Sequence, residues 1–131
     1  MDEAWYSCSV KISPEEYVVT GGTESSSSVV AYNVTSGSHT RLPSMSVERY
    51  AHGCALVKHG ASGETGVLVA GGAGRAGAGR SSEFFSLETG TWRRVGDLTV
   101  EREGVRLAVV QGGAVAHCIT MRTFSIFFKI T

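Results

Sequence analysis

The sequence predicts an all-β protein built from repeated units of about 50 residues, each with four short strands. Residues 29–57 align with residues 82–110 without a gap, at an offset of 53. Upstream, YVVTGG (17–22) aligns with VLVAGG (67–72) at an offset of 50. Short apolar runs alternate with glycine-rich or polar turns throughout. Four strands at this period are typical of propeller blades, which need neighbours to bury both faces.

The complete unit predicts strands over residues 52–57, 67–70, 82–87 and 91–95. The aligned residues share their chemistry along the repeat: Tyr32 with Phe85, Val34 with Leu87, Gly37 with Gly90, Arg41 with Arg94, Met45 with Leu98, and Val47-Glu48-Arg49 with Val100-Glu101-Arg102.

The repeat divides the chain into blade 1 (about 7–45), blade 2 (about 51–98) and an incomplete blade 3 (about 104–131). In blade 1, SCSVKI supplies the first strand, with Cys8 aligned on Cys54. In blade 3, SIFFKIT either forms a third strand with Phe128 on Phe85, or is an unrelated tail. Two to three antiparallel blades cannot close a ring of four to eight, so open edges invite self-association.

The glycines Gly72, Gly74 and Gly77 match the spacing of a dinucleotide-binding loop. Such a loop needs a helix directly after it, because amide groups of the first helical turn hold the phosphate. The residues that follow, RSSEFFSLETGTW, lack helical periodicity, and no GK[ST] motif occurs. A nucleotide-binding enzyme is therefore the least favoured of the hypotheses.

Gly21-Gly22 and Gly71-Gly72 end the second strand of each unit, and Tyr32 and Phe85 lie in the third strand. Together with Trp92 at the start of the fourth strand, these residues resemble the kelch repeat. The resemblance implies a partial kelch-type β-propeller in which the tryptophan packs between blades. His39 stands where the first unit would have its tryptophan, so we expect weaker packing there.

Composition excludes several classes of function. Of 131 residues, 42% are hydrophobic, and 12 basic residues balance 12 acidic ones. A chain with no net charge lacks the positive field that attracts nucleic acids or anionic membrane surfaces. The three cysteines form no C-x-x-C pair, which favours buried, reduced thiols, and no apolar leader or long apolar run occurs. These features predict a cytoplasmic protein without cofactor.

The sequence offers no catalytic or metal-binding set, because the four histidines lack ligand spacing and no G-x-S-x-G motif occurs. In a four-stranded blade, the loops between the second and third strands lie on the same rim as the links between blades. This topology groups four arginines on that rim, where they could bind acidic groups: Arg49, Arg75, Arg80 and Arg102. The opposite rim would carry Glu15, Glu16, Glu64 and Glu88. Ordinary solvated charges are an equally good interpretation.

The kelch resemblance implies a non-enzymatic protein-interaction module. In similar proteins with an N-terminal BTB domain, such a module is the substrate-recognition part of a cullin-RING ubiquitin ligase adaptor. An actin-associated or other cytoskeletal role is the alternative hypothesis, and a BTB segment upstream in a longer parent would favour the first.

Overall fold

In the computed structural model of the protein, all regular structure that is described consists of β-strands. The structure describes residues 7–22, 27–50, 52–58, 63–74 and 81–96, and the backbone of 105–110, 113–118 and 124–128. No helix occurs within these ranges. The all-β prediction is confirmed.

The first sheet is a four-stranded antiparallel meander. Its strands are β1 (Cys8–Lys11), β2 (Glu16–Thr20), β3 (Val29–Asn33) and β4 (His39–Leu42), in the spatial order β1-β2-β3-β4. Strands that are neighbours along the chain are neighbours in space, because short turns join antiparallel strands directly.

The second sheet repeats this meander after a two-residue strand, β5 (Arg49–Tyr50). It contains β6 (Gly53–Lys58), β7 (Thr65–Ala70), β9 (Ser82–Ser86) and β10 (Trp92–Arg94), whereas β8 (Ala73–Gly74) pairs with β5 outside the sheet. The predicted strands are right to within two residues. Strand β7 begins before the apolar run because Thr65 pairs with Lys58 and Gly66 pairs with Ser86.

The third sheet has three described strands, β11 (Val105–Val110), β12 (Gly113–Cys118) and β13 (Phe124–Phe128), in that order. Phe128 pairs with Ala114, as Phe85 pairs with Val67 in the second sheet. The residues SIFF (125–128) of the closing segment therefore belong to a third strand rather than to an unrelated tail, and the remaining KIT lies outside the described residues. None of the described sheets closes on itself.

The core lies between the first two sheets. Val10, Val18 and Val29 of the first sheet pack with Val67, Val69 and Phe85 of the second, and Met45 of the connecting segment completes the cluster. Each strand contributes alternate residues to this layer, because successive side chains of a strand point to opposite faces. The two sheets thus stabilise each other by burying apolar surface, which neither could do alone.

A disulfide joins Cys8 of β1 to Cys54 of β6, with 6.1 Å between the Cα atoms. The expectation of reduced thiols is wrong for this pair. The ladders also correct the alignment of the two cysteines: Ser9 pairs with Val19, as Cys54 pairs with Val69, so Cys54 corresponds to Ser9. Because one residue of offset reverses the face, Cys8 and Cys54 point toward each other across the gap between the sheets.

Candidate partner-binding rim

In the first and second sheets, the loop between the second and third strands begins at the same rim as the link that joins these two sheets. In the second sheet this contact is a short ladder, in which Arg49 pairs with Gly74 and Tyr50 pairs with Ala73. Met45 of the link also donates its backbone N–H to the carbonyl of Ser27 in the first loop, at 2.9 Å. We call this end of the two sheets the rim.

The two glycine pairs begin these loops as predicted, directly after β2 and β7. Gly21, Gly22, Gly71 and Gly72 all have positive φ, between 68° and 121°, which favours glycine. At Gly72 the link passes so close that an added Cβ would lie 2.6 Å from the carbonyl oxygen of Tyr50. Glycine is therefore needed here for both the turn and the close approach of the link.

Arg49 holds the base of the second loop from inside the protein. Its Nη1 donates to the carbonyls of Gly71 and Ser81, each at 3.0 Å. Its Nη2 donates to the hydroxyl of Ser81 at 2.8 Å and to Oε2 of Glu83 at 2.9 Å. The guanidinium thus connects both ends of the loop, since Gly71 begins it and Ser81 ends it.

Glu83 is the counterion of Arg49, and both residues are buried. The other carboxylate oxygen of Glu83 accepts the backbone N–H of Ser46 at 3.0 Å. Burial lowers the pKa of Arg49, and the hydrogen bond and charge of Glu83 oppose that shift. A buried charge of either sign is tolerated only when it is paired and hydrogen-bonded in this way.

His52 fills the space between the two glycine turns. Its Nε2 lies 2.7 Å from the hydroxyl of Thr20, and the ring is buried. Desolvation lowers the pKa of His52 to about 3, and the positive charge of Arg49 contributes to the shift. The imidazole is therefore neutral at physiological pH and acts as a packing and hydrogen-bonding group.

The opposite rim carries acidic residues. Glu15, Glu16, Glu64 and Glu88 lie in or beside the first-to-second and third-to-fourth turns, as the topology predicts. Glu64 accepts hydrogen bonds from Arg93 at 2.8 Å and from the hydroxyl of Ser86 at 2.9 Å.

Trp92 closes the seam between the first two sheets. Its ring contacts Phe85, with 5.1 Å between the ring centroids, and its indole N–H donates to the carbonyl of Pro43 at 2.8 Å. The corresponding pair in the first sheet is Tyr32 and His39, whose ring centroids are 5.7 Å apart and whose side chains are both exposed.

The predicted partner-binding arginines fall into two groups. Arg75, Arg80 and Arg102 lie outside the described residues. Arg49 lies at the rim, but its buried guanidinium is occupied within the protein, which does not favour direct contact with a partner. Partner binding by all four stays a prediction.

Sequence reasoning missed Glu83 as the partner of Arg49. The available signal was a carboxylate as the second residue of SEFFS, a strand that is buried along its whole length. The repeat has Val30 at the corresponding position, so the acidic residue replaces an apolar one. Such a residue in a buried strand indicates a buried cation nearby.

No protein-family model matches this sequence, and a search of curated proteins finds no significant match. The kelch resemblance stays a prediction. In the described part of the chain, no helix has the length and apolar character needed to span a membrane. Nor do the described histidine, cysteine, aspartate and glutamate residues form a group of three that could hold a metal ion. The fold is that of an all-β protein with two antiparallel four-stranded sheets.

Proposed function

We propose that the chain is a non-enzymatic protein-interaction module of the kelch type, which binds an acidic segment of a partner protein at the rim. The observation that carries the proposal is the buried Arg49 network at the base of the second loop. It supplies a rigid support for a loop whose own sequence, RAGAGR between Gly74 and Ser81, contains two arginines.

Fixing the two ends of a loop favours binding, because less conformational entropy is then lost when a partner orders it. The structure fixes Gly71 and Ser81 through Arg49, and Gly74 through its ladder with β5. Binding loops on rigid β-scaffolds commonly follow this plan. The loop between these anchors is where we expect the partner to bind.

The loop sequence suggests the chemistry of the partner. Arg75 and Arg80 supply two guanidinium groups, and glycine and alanine between them leave backbone N–H groups accessible to a ligand. Guanidinium groups bind carboxylates in a planar, bidentate geometry. An extended peptide rich in aspartate and glutamate therefore fits the loop better than an apolar or basic one.

In this proposal Arg49 is a positioning residue and Arg75 and Arg80 contact the partner. The test is binding of a fluorescent peptide of aspartate, glutamate and glycine, measured by anisotropy at about 0.1 M salt, where charges more than about 10 Å apart are largely screened. Replacing both Arg75 and Arg80 by alanine should raise Kd about tenfold or more, since each charge-assisted bond contributes roughly 1 kcal/mol at a partly exposed site.

The matched control removes two positive charges elsewhere. Lys58 and Arg93 lie on the second sheet with exposed and half-exposed side chains, and replacing both by alanine gives the same change in net charge. Kd should then change by less than about twofold, as expected for distant charges screened by salt. Equal losses in both double variants would show general electrostatic attraction and refute a binding site at the rim.

A further inference from the structure

The first sheet has an outer face, opposite the one that packs on the second sheet. Two cross-strand rows lie on it, because residues paired across antiparallel strands point to the same side. These rows are Ser9, Val19, Val30 and Arg41, and Lys11, Tyr17, Tyr32 and His39.

The central positions of this outer face have counterparts on the face of the second sheet that packs on the first. Tyr17 and Val19 correspond to Val67 and Val69 at the offset of 50. At the offset of 53, Val30 corresponds to Glu83, Tyr32 to Phe85 and His39 to Trp92. The ladders agree with both offsets, since Tyr17 pairs with Tyr32 as Val67 pairs with Phe85. The outer face is therefore the first-sheet copy of the surface that the second sheet buries.

The two copies differ in exposure. Phe85 is 3% exposed, whereas Tyr32 is 43% exposed. Val67 and Val69 are fully buried, whereas Tyr17 and Val19 are only half-buried. The apolar and aromatic residues of this face lie on its two central strands, β2 and β3, and a contiguous patch of this kind indicates a surface that is covered in an assembly.

The repeat also indicates what kind of surface would cover it. In the core, the Phe85 face packs on the row Val10, Val18 and Ala31 of the first sheet. The corresponding row of the second sheet is Ala55, Leu68 and Phe84. In the backbone register of the third sheet the same row is Ala108, Val115 and Phe127. In the repeat, the outer face of the first sheet and this backbone row of the third sheet thus correspond to the two surfaces that meet between the first and second sheets.

We propose that the outer face of the first sheet binds the third sheet of a second copy of this chain. The contact is heterologous, and two such contacts related by a twofold axis form a closed dimer. Two copies contribute six sheets, a number within the range in which radially arranged sheets close. This proposal does not depend on partner binding at the rim.

The test is sedimentation velocity of the full chain over a range of concentrations. Tyr32→Glu places a charge in the proposed interface, and Val34→Glu places the same charge in the adjacent turn, where the side chain is 61% exposed. The wild type should dimerise below roughly 100 μM, Tyr32→Glu should weaken the dimer about tenfold or more, and Val34→Glu should change it less than about twofold. His39→Glu provides a second interface variant at an exposed position.

A mixing experiment tests the heterologous arrangement. Phe127→Glu should weaken the dimer as Tyr32→Glu does. An equimolar mixture of the two variants should recover part of the dimer, because one of its two contacts then has no substitution. A wild type that is monomeric at all concentrations, or equal effects of Tyr32→Glu and Val34→Glu, would overturn the proposal. Full dimerisation of folded Phe127→Glu would do so as well, since the third sheet would then not take part.

Discussion

The ion pair between Arg49 and Glu83 should be a major determinant of stability at the rim. Arg49→Met leaves the Glu83 carboxylate buried, with the hydrogen bond from the Ser46 N–H but without the guanidinium beside it. Glu83→Leu removes the carboxylate that lies 2.9 Å from the buried guanidinium of Arg49. Removing one partner of a buried pair costs about 3–5 kcal/mol, a large part of the roughly 5–15 kcal/mol that stabilises a typical domain.

The double variant allows the interaction free energy between Arg49 and Glu83 to be separated from the contribution of each side chain alone. Arg49→Met with Glu83→Leu removes both charges, so neither remains buried without its counterion. The carbonyl of Gly71 and the hydroxyl of Ser81 still lose a donor, so some destabilisation remains. We expect the double variant to cost about as much as one single variant, which gives a coupling free energy of about 3–5 kcal/mol.

The assay is urea unfolding of the wild type, both single variants and the double variant, followed by far-UV circular dichroism. A matched cycle uses Arg93 and Glu64, whose side chains are 40% and 16% exposed and lie 2.8 Å apart. That half-exposed pair should couple by less than about 1 kcal/mol. Additive costs at Arg49 and Glu83, or equal coupling in the two cycles, would refute the reasoning.

Three further predictions follow from neighbouring residues. Burial lowers the pKa of His52 to about 3 in the folded protein, so below about pH 6.5 the unfolded protein binds more protons than the folded one. The free energy of unfolding should therefore fall by about 2 kcal/mol between pH 7 and pH 5. His52→Gln should remove that part of the pH dependence of urea unfolding. The Cys8–Cys54 disulfide joins residues 46 apart, so reduction should destabilise the fold by about 4 kcal/mol and lower the melting temperature. Trp92→Ala should cost roughly 2 kcal/mol in urea unfolding, whereas His39→Ala at the corresponding exposed position should cost less than about 0.5 kcal/mol.

Each of these has an outcome that contradicts it. A pH profile that is unchanged in His52→Gln would mean that His52 does not titrate as inferred. Peptide mapping of the unreduced protein should find Cys8 and Cys54 in one linked fragment, and separate fragments would exclude the bond. If His39→Ala cost as much as Trp92→Ala, the seam between the sheets would not depend on the tryptophan.

The repeat made much of the fold predictable, because a strand or turn assigned in one unit could be checked against the aligned residues of the other. Offsets of 50 and 53 gave the order of strands, the positions of Gly21-Gly22 and Gly71-Gly72, and the four-stranded meander. Alternation of apolar residues then fixed the strands to within two residues. The short ladder of β5 with β8 was not predicted, since two-residue strands carry no periodic signal.

The candidate site was predictable in its location and not in its chemistry. Topology placed Arg49 at the rim, but whether its guanidinium points outward or inward depends on the residue across from it. Glu83 decides this, and it belongs to another strand 34 residues away. The disulfide was missed for a similar reason. An offset of one residue in β1 reverses the face of Cys8, and alignment alone does not resolve such an offset.

The most direct measurement of partner binding at the rim is a titration of the ¹⁵N-labelled protein with the acidic peptide, followed by amide chemical shifts. We expect saturable shifts at the ends of the second loop and in β8, at Gly71, Ala73, Gly74 and Ser81. The amides of Glu15, Glu64 and Glu88 on the opposite rim should not shift. Shifts confined to the opposite rim, or none that saturate, would contradict the proposal that the loop held by Arg49 binds a partner.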